Sequence, residues 1–140
     1  MMVVFLPTIT AQEGQHRVAD SPFQGEFDYT VNTELRPTVA VDGVRWNRFA
    51  VMVKGGKDIA TDKNMAVTVE LGFVNTNPEN VRVLVIALFE DASGAPLDRV
   101  ECTQVSVSSN RPKESVQKFK LSGAVLEATQ RVYLYAEVVR

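Results

Sequence analysis

Two adjoining segments near the middle of the chain, residues 65–75 and 81–90, limit the fold more strongly than any other feature. Side chains of a strand alternate between its two faces. The first segment, MAVTVELGFVN, therefore presents large apolar residues on one face: Met65, Val67, Val69, Leu71 and Phe73. The second segment, VRVLVIALFE, is apolar on both faces, which is typical of a central strand that is covered twice. Together the two segments predict an all-β core.

The remaining β-patterned segments occur at the spacing expected of a sandwich. They are EFDYTVN (26–32), TVAV (38–41), VRWNRFAVMVK (44–54), LDRVECTQVSVS (97–108), SVQKFKL (115–121) and RVYLYAEVV (131–139). We predict one antiparallel β-sandwich of the immunoglobulin or fibronectin-III type, with seven or eight strands, spanning residues 26–140. The preceding Pro37 and the lysines of SVQKFKL indicate that TVAV and SVQKFKL are edge strands.

Two local departures from regular strand structure are also predicted. The apolar positions change phase after Trp46, which requires one extra residue near Asn47-Arg48. A β-bulge supplies such a residue and keeps both halves of the strand facing the core. Residues 122–130 are expected to hold one helical turn at a crossover.

Charge and composition exclude several classes of function. The formal net charge is −2 and the basic residues are scattered, so we expect no binding to nucleic acid. The chain has one cysteine, Cys102, and one histidine, His16, which is too few ligands for a zinc site. Catalytic triads need a histidine held by the fold, whereas His16 lies in a polar leader. We predict no enzyme activity, no cofactor and no transmembrane helix.

The N-terminal residues 1–25 are interpreted as an apolar leader followed by a polar arm. The run MMVVFLPTITA ends in a small residue before polar sequence, like the apolar part and cleavage site of a secretory signal peptide. The alternative is a strand that docks on a neighbouring molecule, with Val3, Val4 and Phe5 as contacts. Export would place the protein in a secreted, periplasmic or cell-surface location.

The run GFVNTNPENVRVLVIALFEDASGAPLD, followed by KESVQKFKL and VYLYAEVV, resembles the bacterial extracellular FxLyD domains. The naming motif reads Ile86-Ala87-Leu88-Phe89-Glu90 here, with Ile for the first Phe and Glu for the Asp. Asp91-Ala92-Ser93-Gly94 matches the turn that follows it in the family. The resemblance covers about residues 65–139 and implies an immunoglobulin- or fibronectin-like sandwich without catalytic residues to transfer.

Two further resemblances imply the same architecture. Asn75-Thr76-Asn77-Pro78 is similar to the Asn-Pro-Asn turn of the water-stress and late-embryogenesis sandwich domains. The spacing from Leu126 to Tyr133 is similar to that before a late fibronectin strand, where the tyrosine ties down a corner.

Carboxylates and aromatic residues are the side chains that carry chemistry. Glu90, Asp91 and Asp98 flank one hairpin. They solubilise the turn, act as acid and base of a hydrolase, or provide oxygen ligands for Ca²⁺, with Asp91 and Asp98 as the candidate ligands. Tyr133 and Tyr135 stand two residues apart on one strand face. They either lie covered or form a platform for a partner or a sugar ring, and Trp46 is either a core residue or a third aromatic contact.

We therefore expect a non-catalytic, exported module for protein–protein interaction or structural assembly in the cell envelope. A partner protein or a second copy of the chain is the predicted ligand. The first alternative is a carbohydrate-binding module that uses Tyr133, Tyr135 and Trp46. The second is a hydrolase built on the carboxylates of the hairpin.

Overall fold

A computed structural model describes residues 17–140, and the docking prediction for Val3, Val4 and Phe5 lies outside the described residues. One turn of 3₁₀ helix (Lys54–Gly56) and one short helix, α1 (Gly123–Ala128), interrupt an otherwise all-β chain. The strands are β1 (Arg17–Ala19), β2 (Phe23–Asp28), β3 (Glu34–Leu35), β4 (Val39–Val41), β5 (Val44–Val53), β6 (Asn64–Asn75), β7 (Val81–Glu90), β8 (Pro96–Glu101), β9 (Val105–Val107), β10 (Pro112–Ser122) and β11 (Arg131–Val139).

These strands form two sheets, which confirms the predicted β-sandwich. Sheet A has the order β1-β4-β5-β6-β10, with β3 also beside β5, and sheet B has the order β2-β11-β7-β8, with β9 also beside β7. All pairs are antiparallel except β1 with β4. The described chain has more strands than the predicted seven or eight because segment 97–108 divides into β8 and β9, and because two- and three-residue strands form at the margins.

Strands β6 and β7 follow each other in sequence but lie in different sheets. The polar turn between them is a corner organised by Asn75, whose side chain is fully buried. Its Nδ2 donates to the carbonyl oxygens of Glu79 (2.9 Å) and Val107 (3.1 Å), and its Oδ1 accepts from Asn77 N (2.8 Å). Asn75 therefore satisfies its donors and its acceptor while it ties the corner to β9.

Trp46 lies in the core between the sheets, with 1% of its surface exposed. Its ring packs against Phe49 and Phe73 at centroid distances of 6.3 and 6.0 Å. The pairing of β5 with β6 shifts register between Trp46 and Arg48, which confirms the predicted bulge. Of the two alternatives for Trp46, the structure shows the core residue, because its side chain lies on the buried face of β5 together with Val44.

The sandwich begins earlier than the predicted boundary at residue 26. Strand β1 adds in parallel to β4, and Phe23 at the start of β2 is buried in the core with 4% of its surface exposed. Residues from Arg17 onward therefore include strands of both sheets, ahead of the predicted start of the sandwich. Strand β1 pairs with β4, so β4 is not the edge that Pro37 indicated. Among the strands of residues 17–140, β10 is at the edge of sheet A, as predicted.

Helix α1 connects the edge of sheet A to sheet B and confirms the predicted helical turn. Its first residue, Gly123, donates its N–H to the carbonyl oxygen of Lys63 (2.8 Å) and lies so close to Ala60 that a Cβ would overlap the Ala60 carbonyl. Glycine is required there by close approach of two backbones. No helix within residues 17–140 is long and apolar enough to span a membrane.

Candidate functional site

The outer face of sheet B is apolar along its two central strands. Its aliphatic residues lie on β7 and its aromatic residues on β11, at positions that alternate with core residues. Tyr133 lies opposite Leu88, and Tyr135 lies opposite Ile86. We call this surface the tyrosine face, and its half-buried members are Leu84, Ile86, Leu88, Tyr133 and Tyr135. The two-sided apolar pattern of β7 predicted cover on both sides, but within residues 17–140 no third sheet lies over this face.

Polar side chains border the tyrosine face on both sides. On β2, Gln24 lies opposite Tyr135 and Glu26 lies opposite Tyr133. On β8, Arg99 and Glu101 lie opposite Leu88 and Ile86 and are exposed. The surface is thus an apolar strip between two charged or polar rims, which is the arrangement found at protein interfaces.

Both tyrosine hydroxyls are held by neighbouring side chains. Tyr133 Oη donates to Gln24 Oε1 at 2.8 Å, and Tyr135 Oη donates to Glu137 Oε1 at 2.7 Å. The hydrogen bond to Glu137, together with the negative charge of that carboxylate, raises the pKa of Tyr135 above its ordinary value. Tyr135 therefore stays a neutral donor at neutral pH, and both rings have restricted orientations on the sheet.

A buried carboxylate closes one end of the tyrosine face. Glu90 continues the period of Leu88 on β7, and only 7% of its surface is exposed. Arg131 lies opposite Glu90 on β11, with its Nη2 atom 3.5 Å from Oε1 of Glu26. Burial raises the pKa of the Glu90 carboxyl, the neighbouring Glu26 carboxyl raises it further through hydrogen bonding and charge, and the positive charge of Arg131 lowers it. The sequence could have indicated this site, because the alternation of side chains along β7 places Glu90 on the same face as Leu88.

The other two carboxylates of the hairpin have separate structural roles. Asp91 Oδ1 accepts hydrogen bonds from Ser93 N (2.9 Å), Ser93 Oγ (2.7 Å) and Ala95 N (3.0 Å), which together lower the pKa of Asp91. Asp98 Oδ1 accepts from Arg99 N at 2.7 Å. Among residues 17–140, no three His, Cys, Asp or Glu side chains converge as metal ligands. The calcium hypothesis therefore has no cluster of three such ligands within the described residues.

Cys102 is a buried free cysteine of the core. Burial raises the pKa of its thiol to about 12, so the thiolate is not populated at neutral pH. His16 lies outside the described residues. Among the described side chains predicted to carry function, Tyr133 and Tyr135 lie together on one face of sheet B, and the structure adds three aliphatic residues of β7 to them.

No family model matches the sequence, and no curated protein matches it either. The resemblance to the FxLyD domains stays a prediction.

Proposed function

We propose that this chain is a non-catalytic β-sandwich module that binds a protein partner through the tyrosine face. The observation that supports this most is the apolar strip on the outer face of sheet B. One face of an antiparallel sheet usually carries polar residues toward water, whereas this face carries aliphatic and aromatic residues along its two central strands. Contiguous apolar surface rimmed by polar side chains marks interaction sites in soluble domains.

The side chains of the face also fit the energetics of association. Tyrosine contributes a large contact area and loses little conformational entropy on binding. Here the hydrogen bonds of Tyr133 and Tyr135 fix their hydroxyls before any partner arrives. A partner with a flat apolar surface and a complementary charged rim would meet a preorganised site, which lowers the entropic cost of binding.

A paired substitution on the two outer faces tests the proposal. Ile86→Glu places a charge in the centre of the tyrosine face, while Met52→Glu makes a matched change at a half-buried residue on the outer face of sheet A. Each tagged protein is exposed to envelope extract and crosslinked, after circular dichroism shows that it is folded. We expect the wild type and Met52→Glu to retain the same partner and Ile86→Glu to lose it. Equal retention by all three, or retention by none, would contradict the proposal.

Carbohydrate binding is the second candidate. Tyr133 and Tyr135 are two residues apart, so their rings stand roughly 7 Å apart along the strand. Gln24 and Glu137 beside them offer hydrogen bonds to sugar hydroxyls. A glycan array probed with the wild type and Tyr135→Ala discriminates the two functions. A signal that disappears in Tyr135→Ala supports sugar binding, and uniform silence removes it.

Export to the cell envelope or beyond forms the second part of the proposal. The apolar sequence MMVVFLPTITA supports it, as does the resemblance of residues 65–139 to bacterial extracellular domains. The mass of the mature chain isolated from its native source is the test. Cleavage after Ala11 supports export, and a mature chain that keeps Met1 or Met2 contradicts cleavage of this segment as a signal.

A further inference from the structure

Strand β10 is a long, open edge of sheet A. All eleven of its residues pair with β6, from Pro112 opposite Val74 to Ser122 opposite Asn64. Within residues 17–140, no strand pairs with its other side. An open edge exposes a row of backbone donors and acceptors that can accept another strand.

The side chains on the outer face of this edge place an apolar residue between two residues of opposite charge. Val116 has 62% of its surface exposed, and Val18 is the other large hydrophobic side chain among the described residues that is exposed to this degree. Glu114 precedes Val116 by two residues and Lys118 follows it by two, so all three lie on one face. Within the described chain, neither Glu114 nor Lys118 forms an ion pair.

We propose that β10 pairs antiparallel with β10 of a second copy of the chain, about a twofold axis at Val116. This register places Val116 opposite its own copy and sets Lys118 opposite Glu114 twice. Opposite charges and apolar pairs facing each other across strands are stabilising, and like charges are destabilising. The two copies would share one continuous sheet through an isologous interface.

Other registers lose this complementarity. Moving the axis by one residue, to Ser115 or Gln117, sets Val116 opposite a charged side chain. Moving it by two residues, to Glu114 or Lys118, sets that charged residue opposite itself. Lysines on an edge strand commonly prevent its pairing with another strand. In the register centred on Val116, however, each Lys118 lies opposite Glu114 of the other copy.

The edge is also held in place from the inner side of the sheet. The side-chain amide of Gln117 accepts a hydrogen bond from Thr103 N (2.7 Å) and donates one to Thr103 O (2.9 Å). These bonds fasten β10 to the segment between β8 and β9 of the other sheet. A preorganised edge pays less entropy when it associates. This interface lies on sheet A, so it goes beyond the proposed function of the tyrosine face on sheet B.

A charge exchange tests the register in the full chain. Sedimentation equilibrium at low ionic strength should show a dimer for the wild type. Lys118→Glu sets Glu opposite Glu twice and should weaken dimerisation by about tenfold or more. The double variant E114K/K118E restores both pairs and should recover most of the affinity. Lys113→Glu, the same change at a residue that this register sets opposite Phe119, is the control and should stay close to the wild type.

A disulfide between copies tests the axis directly. Directly opposed residues of an antiparallel pair have Cα atoms about 4.5–5.5 Å apart, which suits a disulfide. Val116→Cys should therefore form a linked dimer on mild oxidation, whereas Lys113→Cys should link far more slowly. Buried Cys102 does not compete. Three results would each overturn the proposal. They are a monomeric wild type, a dimer whose affinity is unchanged by Lys118→Glu, and equally fast disulfide formation at positions 113 and 116.

Discussion

The hydroxyl of Tyr29 accepts a hydrogen bond from the backbone N–H of Val51 at 2.7 Å and donates one to the carbonyl oxygen of Thr33 at 2.7 Å. Tyr29 follows β2 of sheet B, whereas Val51 belongs to β5 of sheet A. A single buried hydroxyl therefore fastens the chain where it crosses between the sheets. Nearby, Asn32 Oδ1 accepts from Val53 N at 2.8 Å and extends this connection.

Tyr29→Phe should destabilise the fold. The substitution keeps the ring, which packs edge-on against Phe49, but leaves the buried N–H of Val51 without its acceptor. We expect a loss of about 1–3 kcal/mol in the free energy of unfolding. Urea titration followed by circular dichroism measures it. Tyr133→Phe, which removes a hydroxyl bonded to exposed Gln24, is the matched control and should cost under about 0.5 kcal/mol.

Asn75→Asp should destabilise the corner between β6 and β7. The carboxylate keeps the acceptor used by Asn77 but loses both donors, and it sets a negative charge against the carbonyls of Glu79 and Val107. We expect a loss of about 2–4 kcal/mol at neutral pH, which shrinks in acid as the carboxyl is protonated. Asn80→Asp is the control, because Asn80 uses its acceptor atom toward Ser109 N. Equal losses for both variants would contradict the assigned role of the Asn75 donors.

Glu90→Gln should change how stability depends on pH. The pKa of Glu90 is raised in the folded state, mainly by burial, so the folded protein holds this proton more tightly than the unfolded chain. The stability that Glu90 contributes is complete in acid, below the pKa of the unfolded carboxyl, and falls as pH rises through the raised pKa.

The glutamine variant does not undergo this loss. Its stability relative to the wild type should therefore increase from acid toward neutral pH. Chemical denaturation at a series of pH values checks the trend, with Glu101→Gln at the exposed rim as control. A difference that is independent of pH would show that the environment of Glu90 does not disfavour its charged form.

Phe23→Ala should destabilise the sandwich although residue 23 precedes the boundary that the sequence pattern indicated. Its ring is buried and packs near Phe27 at a centroid distance of 6.4 Å. Truncation of a buried phenylalanine costs about 3–5 kcal/mol. Thermal and urea unfolding measure the loss, and the adjacent exposed Gln24→Ala provides the control. A Phe23→Ala protein as stable as that control would exclude Phe23 from the core.

Several elements were predictable because their signals are local. Alternation along residues 65–75 indicated a strand with one core face, and the phase change after Trp46 located the bulge. The early strands were not predictable in this way. Strand β1 has three residues and is held by backbone pairing with β4. Backbone pairing does not require an alternating pattern of apolar side chains, so the sequence did not indicate this strand.

The sequence by itself determined the class of fold, the core-facing residues of the long strands and the scarcity of histidine and cysteine. These follow from side-chain alternation and composition, which act over a few residues. Tertiary structure alone decided that β6 and β7 belong to different sheets, that Glu90 meets Glu26 and Arg131, and that the outer side of β7 stays half-buried. The identity of an apolar residue does not show which layer will cover it, because its cover depends on contacts made by distant parts of the chain.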